Sequence, residues 1–412
     1  MIHCGLLGRH LAHSYSPQIH SQLGAYTYNL FEVEPEDLGT FIRNGDFTGI
    51  NVTIPYKKTV MEYLDEITSR AEMLGAVNTI VRTADGRLIG HNTDYFGFQT
   101  MVRYSGLQVQ NKKVLVLGSG GASNTAVVVL RELGANVVVI SRSGSNNYSN
   151  LHLHSDATVI VNATPVGMYP DVEKSPIDLA MFPKLEGVLD IVYNPARTQL
   201  LMEAENRGLV AENGLWMLVA QAKESAEWFT GSKISDDVIP SIYENLRSGM
   251  ENIVLIGMPG CGKSTVATIL SRVLGRKAVD ADKEIEAEAG RTIPEIFAVD
   301  GEEAFRRIEC QVLQKLGKES GLIIATGGGC VTRPENYPAL HRNGRIFWLQ
   351  RDIRKLPKEG RPLSMTNDLE AMYQKRLPLY QQFADQIISN NNTAEESAQA
   401  IITTLGCGKE TL

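Results

Sequence analysis

Long apolar runs are missing from this 412-residue chain. No stretch reaches the roughly 18 apolar residues that a membrane-spanning helix needs. The opening residues, MIHCGLLGRHLAHSYSP, have no charged leader and no long apolar core, so no signal peptide is expected. Cysteine is scarce: five residues, at 4, 261, 310, 330 and 407, make no C-x-x-C pair and no even framework. That pattern points to a reducing, cytoplasmic compartment. Positive charge is also in short supply, with 40 Lys and Arg against 47 Asp and Glu for a net charge of −7. This argues against nucleic acid as a partner, and basic side chains must act locally, not as a surface field. There is no repeat, and the one low-complexity tract is the short Gly144–Asn150 loop. A hydrophobic share of 43% with 21% charged residues fits a soluble globular protein. The length exceeds one ordinary core, so two or three domains are expected.

The firmest positive signal is Asn252–Thr265, NIVLIGMPGCGKST. Ile253 to Ile256 predicts a buried strand. Gly257-Met-Pro-Gly-Cys-Gly262-Lys263-Ser264 fits G-x-x-x-x-G-K-[ST], and a helical pattern follows from Thr265. Strand, glycine loop and helix together are the context of a phosphate-binding loop, against the plainer alternative of an ordinary strand–helix turn. The glycines let backbone N–H groups turn inward around a phosphate, and the helix N-terminus adds partial positive charge. Lys263 can reach the β- and γ-phosphates and Ser264 can hold Mg²⁺. Gly260, Cys261, Gly262, Lys263, Ser264 and Thr265 are therefore the candidate ATP site. Since this strand usually opens its domain, a boundary is expected near residue 250.

The first hundred residues carry weaker signals. Met1–Gly8 predicts a short strand into a glycine turn, and His13-Ser-Tyr-Ser-Pro17 leads into an amphipathic helix. Ser14 and Ser16 can present two hydroxyls to one polyol, or simply cap that helix. Gly49–Lys57, GINVTIPYK, is a strand into a proline turn, leaving Lys57 at a strand end facing either a cleft or solvent. Gly75-Ala-Val-Asn78-Thr79 precedes another short strand. His91-Asn-Thr-Asp94 opens a helix in which Asp94 could be only an N-terminal carboxylate.

Lys112–Ser123, KKVLVLGSGGAS, is a buried strand into a glycine turn and a helix. It departs from G-x-G-x-x-G at Ser123, so as a dinucleotide fingerprint it is of middling strength. The next strand, Asn136–Ile140, ends in Ser141-Arg142-Ser143 with no acidic residue to take a ribose 2′-hydroxyl. An arginine between two serines suits a 2′-phosphate, which points to NADP(H), unless Arg142 is only a surface cation.

Ser-x-Ser-Pro, N-V-T-x-P-Y-K, G-A-V-N-T and N-T-D-x-x-G, in this order and spacing, resemble shikimate dehydrogenase. The G-x-G-G-A turn, Asn162-Ala-Thr-Pro-Val-Gly-Met168, Asp190-Ile-Val-Tyr193-Asn-Pro195 and Asn213-Gly214-Leu-Trp216-Met-Leu-Val-Ala-Gln221-Ala extend the resemblance to residue 247. It implies an α/β fold of two lobes: a substrate lobe at about 1–101 plus 214–247, and a Rossmann-like NADP lobe at about 102–213. It further implies Lys57 and Asp94 as the catalytic pair. Ser14, Ser16, Thr53, Asn78, Tyr193 and Gln221 would hold the substrate beside them. Gly118, Ser119, Gly120, Gly121, Ala122, Ser141, Arg142, Ser143, Ile191 and Gly214 would hold NADP(H). Trp216 stands where the family usually has glycine, and an indole there is expected to crowd the nicotinamide or close the cleft differently.

Helical Asp236–Leu246 runs into Arg247-Ser-Gly249, a linker too short to let two domains wander. Behind the phosphate loop, Asp280 and Asp282 lie at a strand end, where one carboxylate can reach Mg²⁺ and the other a substrate hydroxyl. Gly301-Glu-Glu-Ala-Phe-Arg306-Arg-Ile-Glu309 opens a helix, and Ile323–Gly329 is a strand into a three-glycine turn. Lys355–Arg361 is a basic, glycine-containing candidate lid. D-x-D, F-R-x-I-E, G-G-G, R-P-L and R-x-P-x-Y in this order resemble shikimate kinase over about 252–405. The resemblance implies a P-loop domain with a parallel sheet. Asp282, Arg306, Gly328 and Arg376 would hold shikimate, Ser264 and Asp280 the Mg²⁺, and Arg361 the transferring phosphoryl group. The segment between Leu349 and Arg361 is short for that family.

The expectation is thus a dehydrogenase over 1–249 and a kinase over 250–412, one making shikimate and the other phosphorylating it, with small molecules as partners. Two alternatives stand beside it. One is a quinate/shikimate oxidoreductase joined to another small-molecule kinase. The other is a catalytically inactive metabolite sensor, against which Lys57, Asp94, Lys263 and Asp282 all speak.

Overall fold

The computed structural model describes residues 2–11, 14–356 and 369–406. The chain forms two compact units. The first comprises Met1–Asn194 and Thr198–Leu246, the second Arg247–Leu412 with the tripeptide Pro195–Arg197.

The first unit holds two sheets. One uses β1 (His3–Gly8), β2 (Thr27–Glu32), β3 (Gly49–Val52), β4 (Glu66–Ile67), β5 (Thr79–Arg82) and β6 (Leu88–His91), in the order β2-β1-β3-β5-β6-β4. It is mixed: β1 runs parallel to β2 and β3, whereas β5 is antiparallel to β3 and β6. The other uses β7 (Lys113–Leu117), β8 (Asn136–Ile140), β9 (Val159–Asn162), β10 (Gly187–Asp190) and β11 (Val210–Asn213), ordered β11-β10-β9-β7-β8 and parallel throughout. The sequence explains the difference. KVLVL and VIVN do not alternate, as befits strands covered on both faces. Val114–Leu117 and Val159–Asn162 are buried without a break.

The second unit is one parallel sheet of β12 (Asn252–Ile256), β13 (Ala278–Asp280), β14 (Ile323–Ala325), β15 (Gly344–Gln350) and β16 (Gln386–Ser389), ordered β13-β14-β12-β15-β16. The apolar run of β12 occupies its centre, and all five residues are buried. The helix Ile293–Lys318 starts with a capping box between Thr292 and Glu295 and breaks at Gly301, where φ is 79°. That break starts a fresh helical segment, and its first turns carry Arg306 and Glu309.

Two local expectations change. The helix after Ser14 is only Ser16–His20. The helix read as ending at Leu246 runs on, Val238–Met250, so Arg247-Ser-Gly249 is helical and not a free linker. A single glycine costs a helix interior only about 1 kcal/mol, too little to stop it. Trp216 is flanked by two parallel rings, Tyr104 at 4.0 Å and Tyr243 at 3.7 Å. Each such pair contributes about 0.5–1.5 kcal/mol beyond its buried area, so the indole cements three helices.

Gly317 tests the packing of the second unit. Alanine normally favours a helix interior over glycine by about 1 kcal/mol. A Cβ at Gly317, however, would overlap the backbone carbonyl of Ala339 on the facing helix. Overpacking against backbone costs about 1–3 kcal/mol. Gly317→Ala is expected to lower the urea midpoint of this unit, followed by its far-ultraviolet dichroism. A raised midpoint would show that the two helices are not in close contact there.

Candidate active sites

In the first unit β3 ends at Val52, and the turn after it carries Lys57 toward the N-terminus of the helix Asp94–Ser105. Lys57 Nζ donates to Asp94 Oδ2 at 2.6 Å. The pair is enclosed but reachable, with 30% of the lysine and 11% of the aspartate side chain exposed. Asp94 Oδ1 accepts from Asn78 Nδ2 at 2.9 Å, and Asn78 Oδ1 accepts from the Thr93 backbone N–H at 2.8 Å. Lys57, Asp94 and Asn78 are therefore joined directly.

Beneath them lies a buried polar cluster. Asn51 Nδ2 donates to Ser225 Oγ at 2.8 Å, while Thr79 and Thr93 hydroxyls lie 2.9 and 3.0 Å from the same oxygen. Ser225 Oγ is also 2.9 Å from the backbone carbonyl of Gln221. Tyr28 donates its hydroxyl to Asn51 Oδ1 at 2.7 Å. His20 stacks on Tyr28 at 3.9 Å, and burial pushes its imidazole down to about 3. A neutral histidine leaves this floor without a competing cation.

The other predicted substrate residues have neighbours of their own. Ser14 Oγ accepts from the Ser16 backbone N–H at 3.2 Å. Tyr15, between them, meets the Tyr193 ring edge-on at 6.3 Å, and burial and then Tyr15 push the Tyr193 phenol up. Thr53 sits by Gly8, with its methyl 2.8 Å from where a Cβ there would be. Gln221 lies on the helix Leu215–Thr230 against Gly97, its amide folded back onto the Leu218 carbonyl at 2.9 Å.

The residues predicted for the cofactor lie largely at the carboxyl ends of the parallel strands. Gly118, at φ 108°, turns the chain out of β7, and Gly120 caps the helix Gly121–Glu132. Space is open where Cβ atoms on Gly120 or Gly121 would point, so a ligand can approach the backbone closely. The Gly118 N–H donates to the Ile140 carbonyl at 2.8 Å, which puts Ser141, Arg142 and Ser143 beside the turn that holds Ser119 and Ala122. Arg142 is exposed and makes no ion pair among the described residues, as a site for a 2′-phosphate requires. Ile191 and Gly214 meet, since a Cβ on Gly214 would overlap the Ile191 carbonyl. Asp190, at the end of β10, accepts from Thr198, Asn162 and the Val192 N–H at 2.7–3.0 Å. Burial still pushes its carboxyl up to about 7, against those three bonds.

In the second unit Gly257, Gly260 and Gly262 all have positive φ, and the helix Lys263–Leu274 starts directly behind them. Lys263 Nζ donates to the carbonyls of Gly257 and Met258 at 2.9 and 3.2 Å, within the loop. Cys261 is buried, whereas Ser264 and Thr265 are exposed. Ser264 donates to Asp280 Oδ2 at 2.8 Å, so hard oxygen donors suited to Mg²⁺ lie together. Asp280 Oδ1 accepts from the Asp282 backbone N–H at 3.1 Å.

Arg306 Nη1 donates to Glu309 Oε2 at 2.7 Å, with both side chains nearly sealed from solvent. A Cβ at Gly327 would lie 2.8 Å from Glu309 Oε1 and 2.9 Å from Asp282 Oδ1, which fixes all three around the glycine turn. Arg376 Nη1 and the Tyr380 hydroxyl both donate to the Gly328 carbonyl, at 3.1 and 2.5 Å. Burial pushes the Glu309 carboxyl up, as does Asp282, while Arg306 and Arg376 pull it down. Burial works against the Arg306 charge, but Glu309 and Glu302 outweigh it and push the guanidinium up. Arg361 lies outside the described residues. Among the described residues no helix is long and apolar enough to cross a membrane.

The family model of the shikimate dehydrogenase substrate-binding domain matches residues 6–80, and that of shikimate kinase matches residues 259–406. The chain is 35% identical to a shikimate dehydrogenase (NADP⁺) of Clostridium beijerinckii, over 58% of this chain and 96% of that one. The chain belongs to the shikimate dehydrogenase family. A crystal structure of shikimate dehydrogenase 1 from Peptoclostridium difficile superposes with a TM-score of 0.56 at 38% identity, covering 60% of this chain and 98% of that one. A chorismate mutase/shikimate 5-dehydrogenase fusion protein from Clostridium acetobutylicum gives a TM-score of 0.57 at 36% identity, covering 60% and 97%. With its shikimate kinase domain, this member of the dehydrogenase family is a bifunctional enzyme of the shikimate pathway.

Glu309 and Ser225 are among the residues of these clusters to which the motifs assign no role. Glu309 stood inside a quoted motif without a role; its signal is an acid three residues after an arginine on a helix. Ser225 had none, because its partner Asn51 lies 174 residues away. It ties the helix of Gln221 to the residues that hold Asp94. Ser225→Ala in the dehydrogenase unit is expected to lower kcat for the reduction roughly tenfold through misorientation of the pair, with KM less affected. An altered pH profile of kcat would mark loss of positioning, and a lower melting temperature with unchanged kcat and pH profile would show packing alone.

Proposed function

We propose that residues 1–249 reduce 3-dehydroshikimate to shikimate with NADPH. We propose further that residues 250–412 transfer the γ-phosphoryl group of ATP to the 3-hydroxyl of shikimate. The substrate lobe of the first is about 1–101 plus 214–247 and its cofactor lobe about 102–213. The enzyme works in the cytoplasm on small molecules.

The observation that carries the reduction is the contact of Lys57 Nζ with Asp94 Oδ2 at 2.6 Å, backed by Asn78. NADPH supplies the hydride when bound. What the protein must then supply is a proton for the ketone oxygen and a positive charge beside the alkoxide as it forms. Lys57 provides both, and Asp94 orients it and retains the counter-charge. Ser14, Ser16, Thr53, Asn78, Tyr193 and Gln221 bind the hydroxyls and the carboxylate. Gly118, Ser119, Gly120, Gly121, Ala122, Ile191 and Gly214 hold the dinucleotide, and Ser141, Arg142 and Ser143 hold its 2′-phosphate.

In the kinase, Arg306 and Arg376 clamp the carboxylate of shikimate beside Gly328. Asp282 accepts the proton of the attacking hydroxyl. Gly260, Cys261, Gly262, Lys263, Ser264 and Thr265 cradle the phosphates of ATP, with Arg361 on the transferring group. Ser264 and Asp280 hold Mg²⁺, which spreads the phosphate charge when bound. The Glu309 contact supports this role of Arg306, because it fixes the guanidinium before substrate arrives.

The test is one assay with 3-dehydroshikimate, NADPH, ATP and Mg²⁺, following absorbance and product mass. NADPH loss with shikimate 3-phosphate appearing is the expected result. In Lys57→Met the reduction is expected to fall by about 10²–10⁴-fold, as for loss of a general acid, while added shikimate is still phosphorylated. A Lys57→Met enzyme that reduces at the native rate removes Lys57 from the chemistry. Shikimate accumulating unphosphorylated refutes the kinase half.

A further inference from the structure

Arg351 plays no part in the sites above. It is the first residue after β15, the neighbour of the strand that ends in the phosphate loop. The turn it begins is tied to the loop after β16: the Asp352 N–H donates to Asn391 Oδ1 at 2.8 Å, and the Asn390 N–H to the Gln350 carbonyl at 2.8 Å. Asn390 in turn donates to the carbonyl of Cys261, inside the phosphate loop. The guanidinium therefore lies over that loop, with Nη1 4.0 Å from where a Cβ on Gly262 would be.

Among the described residues the Arg351 side chain has no hydrogen-bond or ion-pair partner, and its Nε is buried. The nearest acid in sequence, Asp352, is committed to Arg354 through contacts of 2.6–3.2 Å. Lys263, the other cation of the loop, is bonded to loop carbonyls. A partly buried guanidinium with no acceptor is costly, and a protein that keeps one beside a ring of backbone N–H groups has an anion to meet it. The planar fork of arginine fits two phosphate oxygens at once.

We propose that Arg351 is a nucleotide-binding residue of the kinase domain, contacting the polyphosphate of ATP from beside Gly262. This rests on the kinase function proposed above. It also gives a role to a cation in the segment between Leu349 and Arg361.

The test uses the full chain and its Arg351→Ala and Arg351→Lys variants. ADP with Mg²⁺ is titrated calorimetrically, and KM for ATP and for shikimate is measured separately. Arg351→Ala is expected to weaken ADP binding and raise KM for ATP about tenfold or more, with Arg351→Lys in between. KM for shikimate and the NADPH-dependent reduction by the same chain stay unchanged. ADP affinity equal to that of the native chain overturns the proposal, as does an equal loss of ATP and shikimate affinity, which would mark a packing role. If the native chain binds ADP but does not phosphorylate shikimate, the kinase assignment falls while the ADP affinities still decide Arg351. A native chain that does not bind ADP overturns both.

Discussion

A parallel strand that runs into a helix leaves unbonded N–H groups at its carboxyl end, and both nucleotide sites of this chain depend on that constraint. β7 with the helix Gly121–Glu132, and β12 with the helix Lys263–Leu274, are the same device used twice. In each, a strand that the sheet buries on both faces fixes the height of the turn, and glycine opens the backbone to a phosphate. The loops differ in what they add. The first has Arg142 beside it on the next strand end, suited to one extra phosphate on a ribose. The second adds Lys263 to the loop itself and a serine–aspartate pair for a divalent cation. Charge placement, and not backbone shape, separates a hydride site from a phosphoryl site.

Enclosed charges impose the second constraint. A carboxylate as covered as Asp94 needs donors, and it has Lys57 on one oxygen and Asn78 on the other. Asn78 is itself held by Thr93, and Thr93 by Ser225, so the geometry of one ion pair reaches down to a serine in the core. The kinase domain follows the same logic with the sign reversed. There the cation Arg306 is the enclosed group, with Glu309 as its buried partner and Glu302 as a second one. Removing either buried partner would strand a charge and cost more than the contact is worth, so these partners are as constrained as the groups they hold.

Sequence patterns reached the device and not the networks. β7 and β12 were legible because unbroken apolar runs followed by glycines and a helical period have few other outcomes. The pairing of Lys57 with Asp94, 37 residues apart, had no local signal and came only through the family resemblance. Ser225 was out of reach of both, since a serine on a helix has no mark that it faces a distant asparagine. The helix end near Leu246 is misplaced for a related reason: Arg247-Ser-Gly249 reads as a linker, yet the surrounding helix outweighs one glycine. Trp216 was recognised as unusual but its destination was not, because stacking between Tyr104 and Tyr243 depends on which helices pack together.

The two chemistries are separable because each unit contains its own hydrophobic interior. The cluster around Ile253–Ile256, Trp348 and Tyr380 draws on the second unit, and those around Phe98, Val116, Leu189 and Ile50 draw on the first. A unit with a complete core does not need its neighbour in order to fold. Yet both must recognise the same ring, because the product of the reduction is the substrate of the phosphorylation. They solve that task differently. In the proposed dehydrogenase site hydroxyls and amides, which can accept or donate, would meet the ring, and Lys57 would serve the reacting oxygen. In the proposed kinase site Arg306 and Arg376, which can only donate, would grip the carboxylate and leave the hydroxyl free to attack. In that proposal both reactions work at the oxygen on C3, so each unit must leave that one position open while it holds the rest of the ring.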